Sequence, residues 1–323
     1  MGATARARVV VTGALPGGGM ERLERAAEVI GPPEEGADRR AWLLEAVREA
    51  DGLLCLLVDR VDRELLEAAP RLRVVSTFST GVDHVDLDAC RERGIRVTHA
   101  PDVLTEATAD LTWALMLAAA RRVAEGDRMV RAGAFRGWRP DLLLGTEVYG
   151  RTLGIVGLGR IGKAVARRAS GFDMNVVYWN RTEINPMEDE WLGVSRVELD
   201  ELLAKADFIS LHLAYTPETH HFIGRRELAL MGPHAVLVNT SRGAVVDEEA
   251  LVEALEAGRP AAAALDVFEH EPAVHPRLLR LPQVVLTPHI GSATRETREA
   301  MARVAVDNLL AVLEGRRPPA AVD

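Results

Sequence analysis

Lysine is nearly absent from this chain: only Lys163 and Lys205 occur, and every other member of its 39 basic residues is arginine. A GC-rich genome or a bias toward arginine ion pairs in a heat-adapted protein would produce that pattern, and neither bears on function. Cysteine is scarce as well. Cys55 and Cys90 sit in apolar or helical surroundings without metal-ligand spacing, which argues for a reduced, cytoplasmic setting and against a disulfide framework. Aromatics make up 4% of the chain, no basic cluster is interleaved with them, and the net charge is −9. Nonspecific nucleic-acid binding, which rests on Lys and Arg neutralising phosphates, is therefore excluded. The most apolar later stretch, 111–120, is too short to span a bilayer. A strand-like run begins at 8–12, which leaves no room for a signal peptide. No internal repeat or low-complexity segment stands out.

What is present is an ordinary soluble composition, 48% hydrophobic and 27% charged over 323 residues, enough for two domains with substantial cores. Short apolar runs alternate with helical patterns, the signature of an α/β chain with parallel sheets. The first series predicts strands at 8–12, 52–57, 74–77 and 96–98, with helices near 20–29, 39–49, 62–68 and 86–93 between them. A second series starts at 153 and continues through strands near 175–179, 208–212, 235–239, 262–267 and 284–287. An amphipathic pattern over 104–132 bridges the two series, and one more helix, 294–313, returns to the first domain. The expected architecture is α/β with two doubly wound parallel-sheet domains. They divide into 1–100 plus 291–323, and 101–290.

The second domain opens on Gly157-Leu-Gly159-Arg160-Ile161-Gly162, directly after the apolar run 153–156 and before a helix. In that context the first glycine permits a tight turn, the second lets backbone approach a pyrophosphate, and the third allows helix to pack on strand. The helix N-terminus offers unpaired N–H groups to the phosphates. The alternative is a glycine-rich structural turn. About twenty residues on, such folds place a carboxylate on the ribose 2′-hydroxyl of NAD, or an arginine by the 2′-phosphate of NADP. Here the strand ends in Asn180-Arg181-Thr182. Asn180 removes a charge that would repel phosphate, and Arg181 and Thr182 supply donors, although Glu183 stands close enough to blunt the effect. The pattern favours NADP(H) and leaves NAD(H) possible, unless Arg181 is an ordinary solvated side chain. A second glycine-rich run, 13–19, lacks the Lys-Ser/Thr pair of a P-loop and reads as a flexible turn.

Arg242, Glu271 and His289 each follow a strand of the second series, at the carboxyl edge where open parallel sheets bind ligands. Together they suit carbonyl reduction. Hydride arriving at a carbonyl carbon creates an alkoxide that needs a proton, and a carboxylate beside an imidazole favours the protonated ring. An arginine fork holds a substrate carboxylate and polarises the adjacent carbonyl. Each residue also has a plainer reading: Arg242 as a turn residue before an N-cap at Asp247, Glu271 as a surface carboxylate rivalled by Glu269, and His289 as a loop histidine. In the first domain, Ser79, Thr80 and Gly81 are placed to form an N–H concavity for a carboxylate. No metal is expected. His220 and His221 adjoin each other without a Cys or carboxylate at ligand spacing.

The segments 79–86, 157–162, 239–247, 265–272 and 288–292, in that order, resemble the D-2-hydroxyacid dehydrogenase family over essentially the whole chain. Segments 53–59, 98–105 and 288–294 are most similar to its glyoxylate/hydroxypyruvate reductase branch. The resemblance implies a flavodoxin-like substrate domain, a Rossmann cofactor domain and a homodimer joined through the latter. It implies Arg242, Glu271 and His289 as the catalytic set, with Glu271 rather than Glu269 at the matching position. Substrate contacts are implied at Leu56, Thr80, Gly81, Arg242, His289 and Ser292. Cofactor contacts are implied at Thr105, Gly157, Gly159, Arg160, Ile161, Gly162, Asn180, Arg181, Thr182, Ala214, Thr240, Ser241, Asp266 and Gly291. Leu142 stands where relatives carry an aromatic that reaches the partner's pocket, leaving selectivity between glyoxylate and hydroxypyruvate open. The chain ends at Asp323 without a regulatory extension, so serine feedback is not expected. Two alternatives accompany this reading: a phosphoglycerate dehydrogenase-like enzyme, and a dinucleotide-sensing binding protein or corepressor on the same fold.

Overall fold

The computed structural model describes residues 6–183 and 185–322. They divide into two compact units, one running up to Leu104 and resuming at Ser292, the other spanning Thr105–Gly291. The first unit holds β1 (Arg8–Val11), β2 (Glu28–Ile30), β3 (Gly52–Cys55), β4 (Val74–Thr77) and β5 (Arg96–Thr98), in the order β2-β1-β3-β4-β5. The second holds β6 (Thr152–Val156), β7 (Asn175–Trp179), β8 (Val194–Arg196), β9 (Phe208–Leu211), β10 (Val236–Asn239), β11 (Ala262–Leu265) and β12 (Val284–Leu286). Its order is β12-β11-β10-β9-β6-β7-β8. Every ladder is parallel. The first order is flavodoxin-like, and the second is the Rossmann order with an added outer strand.

Two-residue periodicity divides each sheet's side chains between two cores. In the first unit Val10, Leu53 and Val75 face Leu43, Leu65 and Leu66. Val9, Val11, Leu54 and Val74 face Leu23, Met301, Val306 and Leu309 on the other side. Because both faces are covered, the central strands read as continuous apolar runs. The second sheet repeats the scheme, with Ile155, Tyr178 and Val238 against Trp113 and Met116, and Val156, Ile209 and Leu237 against Leu203 and Leu251. Each fully buried Leu, Val or Ile contributes roughly 1.5–3 kcal/mol.

The helix Arg295–Leu313 belongs to the first unit. The Ser76 hydroxyl donates to the Ala305 carbonyl (2.8 Å), and fully buried Asn308 donates to the His99 carbonyl (2.9 Å). Among the described residues no helix is long and apolar enough to cross a membrane.

The structure corrects three sequence expectations. The helix expected over 20–29 stops at Ala26, because Ala27 turns extended and β-branched Val29 and Ile30 pair with β1 as an edge strand. The bridging helix over 104–132 is two helices, Thr105–Ala120 and Val123–Arg131. Its apolar face ends at Ala120, and Arg122 adopts a left-handed φ of 53° that re-aims the chain. Strand β8, unforeseen, has one buried side chain, Val194, followed by exposed Ser195 and Arg196, too short and polar to announce itself.

Candidate active site

The turn after β6 is built for close approach by a ligand. Gly157 has φ 99°, and a Cβ there would lie 2.7 Å from the His212 carbonyl oxygen. A Cβ on Gly162 would collide with the Gly157 carbonyl, whereas one on Gly159 would meet nothing within 4 Å. Gly159 caps the helix Arg160–Ala169 without a side-chain hydrogen bond. The helix therefore presents backbone N–H groups to open space, and these residues fit a dinucleotide pyrophosphate by their own geometry. Arg160 is exposed at the rim, while Ile161 packs on the core.

The Asn180 side chain has a task that the sequence did not disclose. Its Oδ1 accepts the Leu158 N–H at 2.6 Å, tying the end of β7 to the glycine turn. Arg181 and Thr182 follow on the exposed surface. Glu183 is engaged by Arg196 at 2.7 Å.

At the same carboxyl edge, past β12, His289 Nδ1 lies 2.8 Å from Glu271 Oε2. Burial alone would raise the Glu271 carboxyl, but the hydrogen bond and charge of His289, the Phe268 N–H and the charge of Arg242 outweigh it. They hold its pKa below the ordinary carboxylate value. The ionised carboxylate accepts only, so Nδ1 carries the proton and the tautomer is set. Gly243 lets the Arg242 turn lie against the following loop, because a Cβ there would collide with the Phe268 carbonyl. The two rival carboxylates are separated. Glu269 turns to His221 Nε2 (2.7 Å), and its carboxylate and that of buried Glu248 each accept the other's backbone N–H; burial raises the Glu248 pKa.

His289 has φ 53°, uncommon for a side chain with a Cβ. Asp266, 1% exposed, holds this conformation. Its carbonyl accepts the His289 N–H (2.9 Å), and its carboxylate accepts from Thr287 Oγ1 (2.6 Å), Ile290 N and Gly291 N (2.8 Å each). Burial raises the Asp266 pKa despite these donors. Among the other residues expected to touch cofactor, Thr240 bonds buried Thr112 (2.9 Å) and Ser241 bonds Asn239 Oδ1 (2.8 Å). Thr105 opens its helix, and Ala214 is exposed with its carbonyl accepting from Thr219 (2.8 Å).

The substrate residues expected in the first unit are held from behind. Thr80 Oγ1 donates to the Ala100 carbonyl and His99 Nδ1 donates to the Thr80 carbonyl, both at 2.8 Å, while Ser79 Oγ donates to the Gly81 carbonyl (2.6 Å). The Leu56 N–H is received by Asp59 Oδ2 at 2.8 Å. Asp59, 3% exposed, also binds Thr12 and the Arg39 guanidinium, a network that no sequence spacing announces. Ser292 is half-buried, its carbonyl accepting the Thr294 N–H at 3.0 Å. Elsewhere a carboxylate does accompany the paired histidines: His220, His221 and Glu269 ligand atoms lie within 4.8 Å of one another. The His221–Glu269 hydrogen bond accounts for that cluster.

Comparison with known proteins agrees with this geometry. The model of the NAD-binding domain of D-isomer specific 2-hydroxyacid dehydrogenases matches residues 113–291. A glyoxylate reductase of Thermococcus litoralis is 48% identical over 316 residues, covering 97% of this chain and 95% of that protein. A solved protein of Thermus thermophilus is 53% identical with a TM-score of 0.91, covering 98% of this chain and 100% of that one. An NADPH-dependent glyoxylate/hydroxypyruvate reductase of Sinorhizobium meliloti, solved with NADP and malonate, is 36% identical with a TM-score of 0.88, covering 98% and 97%. The glycine turn, the strand-end trio and these matches together place the chain in the D-isomer specific 2-hydroxyacid dehydrogenase family.

Proposed function

We propose that this chain reduces glyoxylate and hydroxypyruvate to glycolate and D-glycerate, with NADPH preferred over NADH. The observation that carries the reading is the His289–Glu271 pair at 2.8 Å, within the electrostatic reach of Arg242, in the same unit as the glycine turn. When bound, the reduced nicotinamide supplies the hydride for the carbonyl carbon. Arg242 pairs with the substrate carboxylate and draws electron density from the adjacent carbonyl. His289, its Nδ1–H fixed on Glu271, delivers a proton from Nε2 to the developing alkoxide. Glu271 stabilises the imidazolium and holds the ring's aim. Within the first unit, this reading assigns the backbone N–H groups of Thr80 and Gly81, with Leu56 and Ser292, as further contacts for an acid substrate.

The cofactor preference rests on Asn180 and Arg181, which leave the end of β7 without the carboxylate that selects a ribose hydroxyl. The reductase of Sinorhizobium meliloti that was solved with NADP supports it. The chain acts as a homodimer through its cofactor units, a reading supported by exposed Val123, Val130, Phe135, Trp138 and Leu144. Buried free cysteines accord with a cytoplasmic setting.

The test is oxidation of NADPH by glyoxylate in wild type and Arg242→Ala. Turnover should disappear while NADPH still binds. Retained turnover in the variant contradicts the assignment, and a wild type inert toward a panel of 2-oxo acids would favour a binding role.

A further inference from the structure

Strand β8 brings an unforeseen cation to the adenosine end of the cofactor site. β7 and β8 pair in register Tyr178↔Arg196, so Arg196 stands at the carboxyl edge beside the residues that end β7. Its Nη2 lies 3.4 Å from the Asn180 carbonyl oxygen, and its Nη1 lies 2.7 Å from Glu183 Oε1. The Arg196 side chain is 33% exposed and that of Glu183 78%, so the carboxylate is the more solvated member. Arg196 and Glu183 also line an open hollow shared with Tyr178, Asp189, Val197, Glu198 and Glu201. The carboxylates of Asp189, Glu198 and Glu201 repel a phosphate from the hollow, so the end of β7, where Nη2 meets the Asn180 carbonyl, is the approach left to one.

We infer that Arg196 is a second guanidinium for the ribose 2′-phosphate, and that Glu183 is the counter-ion which it exchanges for that phosphate. The inference rests on the NADP reading above and goes beyond it by naming a reader on a different strand. A guanidinium fork matches phosphate bidentately, and a dianion competes well against one exposed carboxylate. Exposed pairs such as Arg196–Glu183 are weakly held. With a plain 2′-hydroxyl the pair persists and Arg196 contributes nothing, so discrimination arises from the exchange. Glu183 thereby lowers affinity for the phosphorylated ribose and keeps NADH in competition.

Calorimetric binding of adenosine 2′,5′-bisphosphate and of 5′-AMP to wild type, Arg196→Met and Glu183→Gln tests this without turnover. Arg196→Met should weaken the bisphosphate by about tenfold or more, a loss near 1.4 kcal/mol, and change 5′-AMP by less than about twofold. Glu183→Gln should tighten the bisphosphate and leave 5′-AMP unchanged. Thermal melts establish that the variants fold. If Arg196→Met binds the bisphosphate like wild type while wild type prefers it to 5′-AMP, the inference on Arg196 is overturned and the NADP reading stands. If wild type does not distinguish the two ligands, both are overturned.

Discussion

If His289 is to donate a proton along one direction, as proposed, its ring, its tautomer and its backbone must be fixed, and different residues supply each. Glu271 fixes the ring and the tautomer through the bond to Nδ1, while Asp266 fixes the backbone at an unfavourable φ of 53°. Glu271→Gln removes the charge and keeps the shape. Its kcat should fall by roughly 10²–10³-fold with NADPH affinity nearly unchanged, because the anion that aims the ring and steadies its charge is gone. A wild-type kcat would leave Glu271 as a spacer only. Asp266→Ala orphans the Thr287 hydroxyl and two backbone N–H groups. Denaturation should report a loss of roughly 3 kcal/mol or more, accompanied by a lower kcat. Unchanged stability would mean that the His289 turn holds itself. Residue order makes the pairing of Glu271 with His289 legible, but it implies Asp266 as a cofactor contact and gives no sign that its buried carboxylate holds the 287–291 loop.

At the scale of elements, the site depends on two strand-end turns lying in contact. Gly243, after β10, rests against the backbone of Phe268 and Glu269, after β11. Gly243→Ala should displace the loop that carries Glu271, destabilising the protein by roughly 1–3 kcal/mol and lowering kcat more than it alters cofactor affinity. A variant with wild-type kcat would show that the loop tolerates the shift. The elements themselves were largely readable, since strands buried on both faces must be continuous apolar runs such as those at 53–55 and 236–238. What escaped were two of the four edge strands, β2 and β8, whereas the edges β5 and β12 were readable. Glu28–Ile30 and Val194–Arg196 are three-residue strands with exposed polar positions, and pairing with a neighbour, not their own pattern, makes them strands. The break at Arg122 escaped for a related reason. The local sequence still favours helix there, and the chain turns because buried Ala119 and Ala120 give way to the charged pair Arg121-Arg122. The polar edge strand β8 is also the one that carries Arg196, so the residue stands outside any pattern that its own sequence announces.

Over the whole molecule, arginine dominance appears as a population of surface ion pairs. Glu92 is held by Arg63, Glu253 by Arg225, Glu256 by Arg277 and Glu106 by Arg168, and each carboxyl lies below its ordinary range. Their folded pKa values are depressed, so the unfolded chain takes up protons first as pH falls. The stability they contribute is present above the ordinary carboxylate range near ~4 and is lost as pH drops through the folded values. Buried Glu248 and Asp266 are raised and act in the opposite sense, losing their contribution as pH rises. The depressed group is the larger, so the melting temperature should fall between about pH 5 and pH 3, with a smaller drop at high salt. A melting temperature that is flat or rises on acidification would contradict the assignment.

A nicotinamide site and a proton donor at one sheet edge are together what would make this chain a 2-oxo acid reductase. The most direct measurement pairs NADPH oxidation by glyoxylate with NADPH binding in His289→Gln. Turnover should fall by roughly 10²–10⁴-fold with the cofactor dissociation constant nearly unchanged. Turnover close to wild type in that variant would contradict the role of His289 as the proton donor, and with it the reductase reading.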